Sequence, residues 1–66
     1  MPPTTQKALY KVPEAAAVLS LSRAELYEQM TAGRLRYVKV GRARRIPAQA
    51  ISEFVALLER ETEDAA

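Results

Sequence analysis

This chain must hold its fold without any covalent or metal staple, because its 66 residues include neither cysteine nor histidine. Disulfide bonds and the usual zinc sites are therefore excluded. A domain of this size buries only about 60% of the surface that its unfolded chain exposes, so its core is small. The sequence predicts one small domain, held together by helix packing around a few apolar side chains.

The two ends of the chain differ from its middle in composition. Residues 1–8 begin MPPTTQK, which lacks the apolar stretch of a signal peptide, and we expect a disordered leader there. Residues 9–60 are predicted to form the domain, and the acidic residues 61–66 a flexible tail. No apolar run approaches the roughly 20 residues that span a bilayer. We therefore expect a cytoplasmic protein with no membrane contact.

The first half of the domain is predicted to contain two short helices separated by a turn. Ser22 and Glu25 have the spacing of a capping box, which begins the second helix, RAELYEQMTA. Leu26 and Met30 mark the inner side of that helix, and Gly33 is placed to end it in a left-handed conformation. Two helices joined in this way are a helix-turn-helix candidate.

The pattern then changes from helical to extended. Val38 and Val40 are predicted to point into the core from a first strand, with Tyr37 and Lys39 pointing away. The segment GRAR supplies a tight turn, a second short strand returns through Arg45 and Ile46, and Pro47 ends it. The prediction is a β-hairpin.

A third helix, AQAISEFVALLER, follows the hairpin and has the clearest amphipathic pattern in the chain. Its apolar stripe consists of Ile51, Phe54, Val55 and Leu58. We expect this stripe to be core, because so small a domain has little other apolar surface to bury. The alternative is a protein-interaction module that uses Phe54, Val55 and Leu58.

Residues 34–45 carry a basic cluster with no acidic residue, whereas the remainder of the chain has more acidic than basic residues. The cluster consists of Arg34, Arg36, Lys39, Arg42, Arg44 and Arg45. Arg42 and Arg44 are expected at the exposed tip of the hairpin, where arginine is suited to bind phosphates. The alternative is a solvated turn that only keeps the protein soluble. Beside a helix-turn-helix pattern, the cluster indicates nucleic acid.

The predicted fold is therefore mainly α with a small β-hairpin: a winged helix-turn-helix with a two-stranded wing and a C-terminal helix. The second helix would enter the major groove while the wing follows the backbone or a minor groove. An enzyme is least favoured, because the chain has no histidine, cysteine or phosphate loop. We expect no catalytic residue, cofactor or metal.

The segment from Leu9 to Leu58 resembles the small winged-helix domain of phage and plasmid excisionases, and is similar to the DNA-binding half of MerR-type regulators. The residues that carry the resemblance are Ala15, Ala16, Ser22, Arg23, Leu26, Tyr27, Gly33, Val40, Gly41, Arg42, Ile46 and Pro47. Relatives often have glycine where this chain has Ser20. If that residue is left-handed, serine costs roughly 1 kcal/mol there.

The resemblance implies a recombination directionality factor. Such a protein binds double-stranded attachment-site DNA cooperatively with neighbouring copies of itself, bends the DNA and directs an integrase (a tyrosine or serine recombinase) toward excision. The alternative that it implies is a small MerR- or AlpA-like transcriptional regulator that binds promoter DNA. We favour the first and expect a monomer off DNA, because no coiled coil or effector domain follows residue 61.

The expected DNA-binding residues lie on the second helix and the wing. They are Ser22, Arg23, Ala24, Glu25, Tyr27, Glu28, Arg36, Lys39, Arg42, Arg44 and Arg45. Carboxylates repel phosphates, so Glu25 and Glu28 cannot supply affinity, but a glutamate can accept a hydrogen bond from a cytosine amino group. The alternatives are that Glu25 serves only the capping box, that Glu28 is only solvated, and that Tyr27 packs in the core.

Overall fold

The computed structural model describes residues 8–65 and confirms a mainly helical winged helix-turn-helix fold. The elements in chain order are β1 (Leu9–Lys11), α1 (Val12–Leu19), α2 (Arg23–Thr31), β2 (Val38–Val40), β3 (Ala43–Pro47) and α3 (Ala48–Ala65). The predicted disordered leader falls mostly on residues 1–7, which lie outside the described residues.

Local hydrogen bonds define the turn between α1 and α2. Ser20 is left-handed, with φ 57° and ψ 40°, so the strained serine that the sequence anticipated is present. The Glu25 N–H donates to Ser22 Oγ at 3.1 Å and the Ser22 N–H donates to Glu25 Oε1 at 2.9 Å, which confirms the capping box. Gly33, with φ 80°, ends α2 as predicted.

The sheet contains a strand that the sequence did not predict. It is antiparallel with the order β1-β3-β2, whereas a two-stranded wing was expected. Tyr10 pairs with Ile46 across β1 and β3, and Lys39 pairs with Arg44 across β2 and β3. The hairpin is therefore anchored on its far side by β1, which precedes α1.

The prediction that Val38 and Val40 point into the core is wrong. Side chains alternate along a strand and paired residues share a face, so the buried Ile46 puts Arg44 and Lys39 on the core-facing side of the sheet. Val38 and Val40 lie on the opposite side and are 36% and 55% exposed. Tyr37, which was expected to point away, instead packs against the core.

The core lies between the three helices and the inner face of the sheet. Its buried residues are Val12, Ala15, Ala16, Leu26, Met30, Leu35, Ile46, Ala50, Ile51 and Phe54. The expected burial of Leu26, Met30, Ile51 and Phe54 is confirmed. Val55 and Leu58 were also assigned to the core, but they are 39% and 36% exposed.

Helix α3 is longer than predicted. Residues 61–65 were expected to be part of a flexible tail, but they continue the helix through Ala65. The physical reason is that no proline or glycine interrupts this segment, and that Glu61 bonds to Arg34 next to the end of α2. Within residues 8–65, no helix combines the length and apolar character needed to cross a membrane.

Candidate nucleic-acid interface

Helix α2 presents one side to solvent. Leu26 and Met30 bury its inner side, while its first turn is exposed at Arg23, Ala24 and Glu25. Farther along, Tyr27 and Glu28 are also exposed, and together with Ala24, Thr31 and Ala32 they line a shallow concave surface. The five α2 residues predicted to bind DNA are thus all solvent-accessible.

The capping box already occupies part of the first turn. Ser22 Oγ accepts from the Glu25 N–H, which leaves the serine hydroxyl proton available as a donor. One carboxylate oxygen of Glu25 is bonded to the Ser22 N–H, so capping accounts for the presence of Glu25. Among the described residues, the side chain of Glu28 forms no hydrogen bond or ion pair, although its backbone carbonyl accepts from the Ala32 N–H at the end of α2. Of the two carboxylates, Glu28 is therefore the one whose presence the fold does not explain.

The wing, residues 38–47, carries cations that no carboxylate neutralises within the described part of the chain. Lys39 and Arg42 are exposed, and Arg45 is half-buried with its Nη1 donating to the Arg44 carbonyl at 2.9 Å. Gly41, with φ 66°, makes the turn that presents Arg42. None of these three side chains lies within 4.0 Å of a carboxylate in residues 8–65.

Two arginines of the basic cluster turn toward α3 instead. Arg36 Nη2 lies 3.3 Å from Glu53 Oε1, with both side chains about half exposed at 51% and 52%. The two terminal nitrogens of Arg34 donate to the two carboxylate oxygens of Glu61, with Nη2 to Oε1 at 2.6 Å. Its Nε donates to Gln29 Oε1 at 2.7 Å. The cluster is therefore partly compensated by distant acids, and Arg36, expected at the DNA, already has a carboxylate partner.

The ion pair with α3 perturbs both of its members. Hydrogen bonding from the Arg34 guanidinium lowers the pKa of Glu61 below its ordinary value of 4.5, and the same bond raises the pKa of Arg34. Both side chains remain partly accessible to solvent, at 33% for Arg34 and 44% for Glu61, so water screens the pair.

Arg44 lies elsewhere than the sequence predicted. It was expected at the tip of the hairpin, but it is half-buried on the inner face of the sheet. Its guanidinium carbon is 5.3 Å from the ring centroid of Tyr27 and 4.8 Å from that of Tyr37. The exposed face of α2 and the wing therefore meet at this arginine.

One basic residue near the wing was not predicted from the sequence to lie there. Lys11 in β1 is exposed and pairs with Arg45 of β3 in the sheet register. Side chains of paired residues share a face, so Lys11 adds a cation to the outer side of the sheet. The nearest signal in the sequence is the apolar pair Leu9 and Tyr10, from which no strand was predicted.

A capped helix-turn-helix beside a basic wing defines the class: a winged helix-turn-helix protein. In agreement with this, the family model described as "Helix-turn-helix domain" matches residues 9–56. The chain is 40% identical over 52 residues to a Saccharopolyspora erythraea protein named "Probable excisionase", covering 79% of this chain and 53% of that one. It is 35% identical over 52 residues to "Excisionase" of Streptomyces ambofaciens, covering 79% of this chain and 84% of the relative.

The chain therefore belongs to the excisionase family of DNA-binding helix-turn-helix proteins, and the family resemblance of its sequence is confirmed. The match spans only about half the length of the Saccharopolyspora relative, 53%. Comparison with solved structures gives no significant match.

Proposed function

We propose that this protein is an excisionase that binds attachment-site DNA, bends it and directs an integrase toward excision, without catalysis of its own, in the bacterial cytoplasm. The observation that carries the proposal is the arrangement of the wing: Lys39, Arg42 and Arg45 have no carboxylate partner in residues 8–65. The wing that carries them meets the exposed face of α2 where Arg44 contacts Tyr27. Membership of the excisionase family supports the choice of DNA as the ligand.

In the proposed complex, α2 enters the major groove and the wing follows the sugar-phosphate backbone. Arg23 and the Ser22 hydroxyl, at the start of α2, donate to phosphate or to a base edge. Glu28 lies on the same exposed face and can accept a hydrogen bond from a cytosine amino group. Affinity then comes mainly from the wing, and selectivity from the helix.

The strength of binding is expected to depend steeply on salt. Arg23, Lys39, Arg42 and Arg45 would neutralise about four phosphates, and each neutralised phosphate contributes about −0.9 to the slope of log affinity against log salt. We expect a slope of about −4. A slope near zero would contradict a phosphate-bound wing.

Cooperative binding is proposed to use two exposed apolar surfaces of opposite charge. The outer face of the sheet exposes Leu9, Val38 and Val40 beside Lys11. Farther along the chain, α3 exposes Val55 and Leu58 beside Glu59 and Glu63. The complementary charges support a contact in which the α3 surface of one copy meets the sheet of the next, a head-to-tail arrangement that suits copies side by side on DNA.

Comparing DNA that carries one binding site with DNA that carries two tests this contact. Leu58→Ser should preserve affinity for one site and reduce the cooperative gain at two sites, whereas Ala56→Ser, also exposed on α3, should preserve both. Unchanged cooperativity in Leu58→Ser would refute the contact. If that variant lost only integrase-dependent excision, α3 would be assigned to the integrase.

Recovery and sequencing of genomic fragments bound at moderate salt tests the proposed function directly. We expect enrichment of one locus with closely spaced direct repeats beside an integrase gene, and loss of that enrichment in Lys39→Ala/Arg42→Ala. Enrichment at promoters without such repeats would instead identify a transcriptional regulator of the MerR or AlpA kind. No enrichment of any locus would overturn both.

A further inference from the structure

We propose that Arg44 is a positioning residue that fixes the wing against α2, and that it is not a phosphate ligand. The inference rests on the proposed DNA-binding function and assigns different roles to two arginines of the wing, Arg42 and Arg44. It departs from the expectation that every cation of the wing binds the DNA backbone.

The geometry around Arg44 is that of a cation in contact with two aromatic rings. Its guanidinium carbon lies 5.3 Å from the centroid of Tyr27 and 4.8 Å from that of Tyr37. Both distances are within the roughly 6 Å at which a cation and a ring attract each other, and a planar guanidinium also stacks on such rings. Arg44 thus has two neutral partners and, within residues 8–65, no carboxylate within 4.0 Å.

The three side chains come from different parts of the fold. Tyr27 belongs to α2, Tyr37 precedes β2, and Arg44 is in β3. Tyr37 packs against the core, whereas Tyr27 is 40% exposed, so Arg44 connects a fixed ring to one on the surface of α2. Helix α2 packs mainly against α1. The contact between Arg44 and Tyr27 therefore gives α2 a direct connection to the wing.

Sheet register explains why Arg44 faces the helices. It shares a face with the fully buried Ile46, two residues later in β3. Arg42, by contrast, lies at the exposed turn, and its side chain forms no ring contact or ion pair among the described residues. The same wing therefore offers a matched pair: one arginine open to solvent and one in contact with two rings.

The two roles differ in their salt dependence. Removing a phosphate ligand reduces the slope of log affinity against log salt by about 1. Removing a positioning residue leaves the number of neutralised phosphates unchanged and lowers affinity at every salt concentration. We expect Arg42→Ala to reduce the slope by about 1, and Arg44→Ala to lower affinity by about 3- to 30-fold at unchanged slope, the range of one or two cation–π contacts.

The experiment measures the affinity of both variants for an identified site at four or more salt concentrations, with circular dichroism to verify folding. A slope that falls by about 1 in Arg44→Ala, as in Arg42→Ala, would overturn the positioning role. An affinity equal to that of the unaltered protein would overturn it as well. If Arg42→Ala itself left the slope unchanged, the phosphate-binding wing of the proposed function would fail, whatever Arg44 does.

Tyr27→Leu keeps the inference testable if Arg44→Ala does not fold. This variant retains the cation but removes the outer ring, so the positioning role predicts a loss of affinity at unchanged slope. Where both single variants fold, the double variant should lose little more than either one, because the two side chains act as a unit. Unchanged affinity in Tyr27→Leu, or additive losses in the double variant, would contradict the proposal.

Discussion

The exposed face of α2 and the wing lie next to each other but differ in charge. The α2 face carries the carboxylates Glu25 and Glu28 and a single cation, Arg23, at its start. The wing exposes cations and no carboxylate. Phosphates are repelled by the first surface and attracted by the second, so the two are suited to different tasks: discrimination between bases and attachment to the backbone.

The two regions also differ in what holds them in place. Helix α2 is defined by contacts close in sequence, such as the capping box of Ser22 and Glu25. The wing depends on distant partners, because β3 pairs with β1, more than thirty residues earlier in the chain. A change in the shared core should therefore remove both regions, whereas changes at their surfaces should affect one of them.

The largest effect is expected from Phe54→Ala. Phe54 is 2% exposed and belongs to the cluster that contains Leu26 of α2 and Ile46 of β3. Such a truncation costs about 3–5 kcal/mol, a large part of the stability of so small a domain. Chemical denaturation should show the loss, and sequence-specific binding should disappear with it, while any residual binding by the wing cations is non-specific.

Leu58→Ala is the control, because Leu58 is apolar and on the same helix but 36% exposed. We expect it to change the free energy of unfolding by less than about 1 kcal/mol. If Phe54→Ala retained sequence-specific binding, the structures of α2 and the wing would not depend on one shared core.

The difference between local and distant contacts also explains how much the sequence could predict. Ser22 with Glu25, and Gly33, were identified correctly because each signal is contained within a few residues and has its own backbone requirement. A left-handed Ser20 was considered only because relatives often have glycine at this position, and the structure shows that conformation. The residue patterns also predicted the order of the three helices and the hairpin correctly, but they missed β1.

The errors concern which side of an element faces the core. Alternation put Val38 and Val40 on one face of a strand, but the pairing with β3 decided which face was buried. The pattern of α3 likewise extended to Val55 and Leu58, because a periodic stripe does not show where the core ends. The contact of Arg44 with Tyr27 joins residues far apart in sequence, and no local pattern contains it.

Glu28→Gln is the second-largest expected effect and acts on α2 alone. Removing the charge should raise affinity for all DNA sequences, since one repulsive carboxylate is lost. It should also weaken discrimination by about 1–3 kcal/mol at one base pair if Glu28 accepts from cytosine. Binding to a set of single-base variants of the site measures both quantities.

The matched control for that variant is Glu59→Gln, which removes a carboxylate exposed on α3. It should leave discrimination unchanged at every position of the site. If Glu28→Gln showed the same unchanged discrimination, Glu28 would be a solvated residue, and selectivity would have to come from other side chains of α2.

A smaller effect is expected from Ser20→Gly, which changes the turn that supports α2 but not the wing. Glycine relieves about 1 kcal/mol of left-handed strain at φ 57°, and the more flexible unfolded chain offsets about 0.4–1 kcal/mol of that gain. The net change in the free energy of unfolding should lie between zero and about 0.6 kcal/mol of stabilisation, with no change in the salt slope of DNA binding.

Ser52→Gly provides the comparison, because Ser52 is exposed inside α3, where glycine has only costs. It should destabilise the domain by about 0.5 kcal/mol. The unfolding temperature of Ser52→Gly should therefore fall, whereas that of Ser20→Gly should rise or stay unchanged. A lower unfolding temperature for Ser20→Gly would show that the turn is not strained.

The smallest effect concerns Arg34, the arginine of the basic cluster that binds Glu61 of α3. Hydrogen bonding to Arg34 lowers the pKa of Glu61, so the folded state binds the Glu61 proton less tightly than the unfolded state does. The stability from this pair is therefore present above the ordinary pKa of 4.5 and is lost as pH falls through the lower pKa of the folded state.

Denaturation midpoints should show Glu61→Gln slightly less stable than the unaltered protein at pH 7, with the difference vanishing in acid below both pKa values. Glu63→Gln, on the same helix but with no basic side chain within 4.0 Å of the Glu63 carboxylate among residues 8–65, should show no such pH-dependent difference. Because Arg34 is bound to α3, neither variant should alter the salt slope of DNA binding; a change in that slope would place Arg34 among the phosphate ligands and make the basic surface larger than the wing.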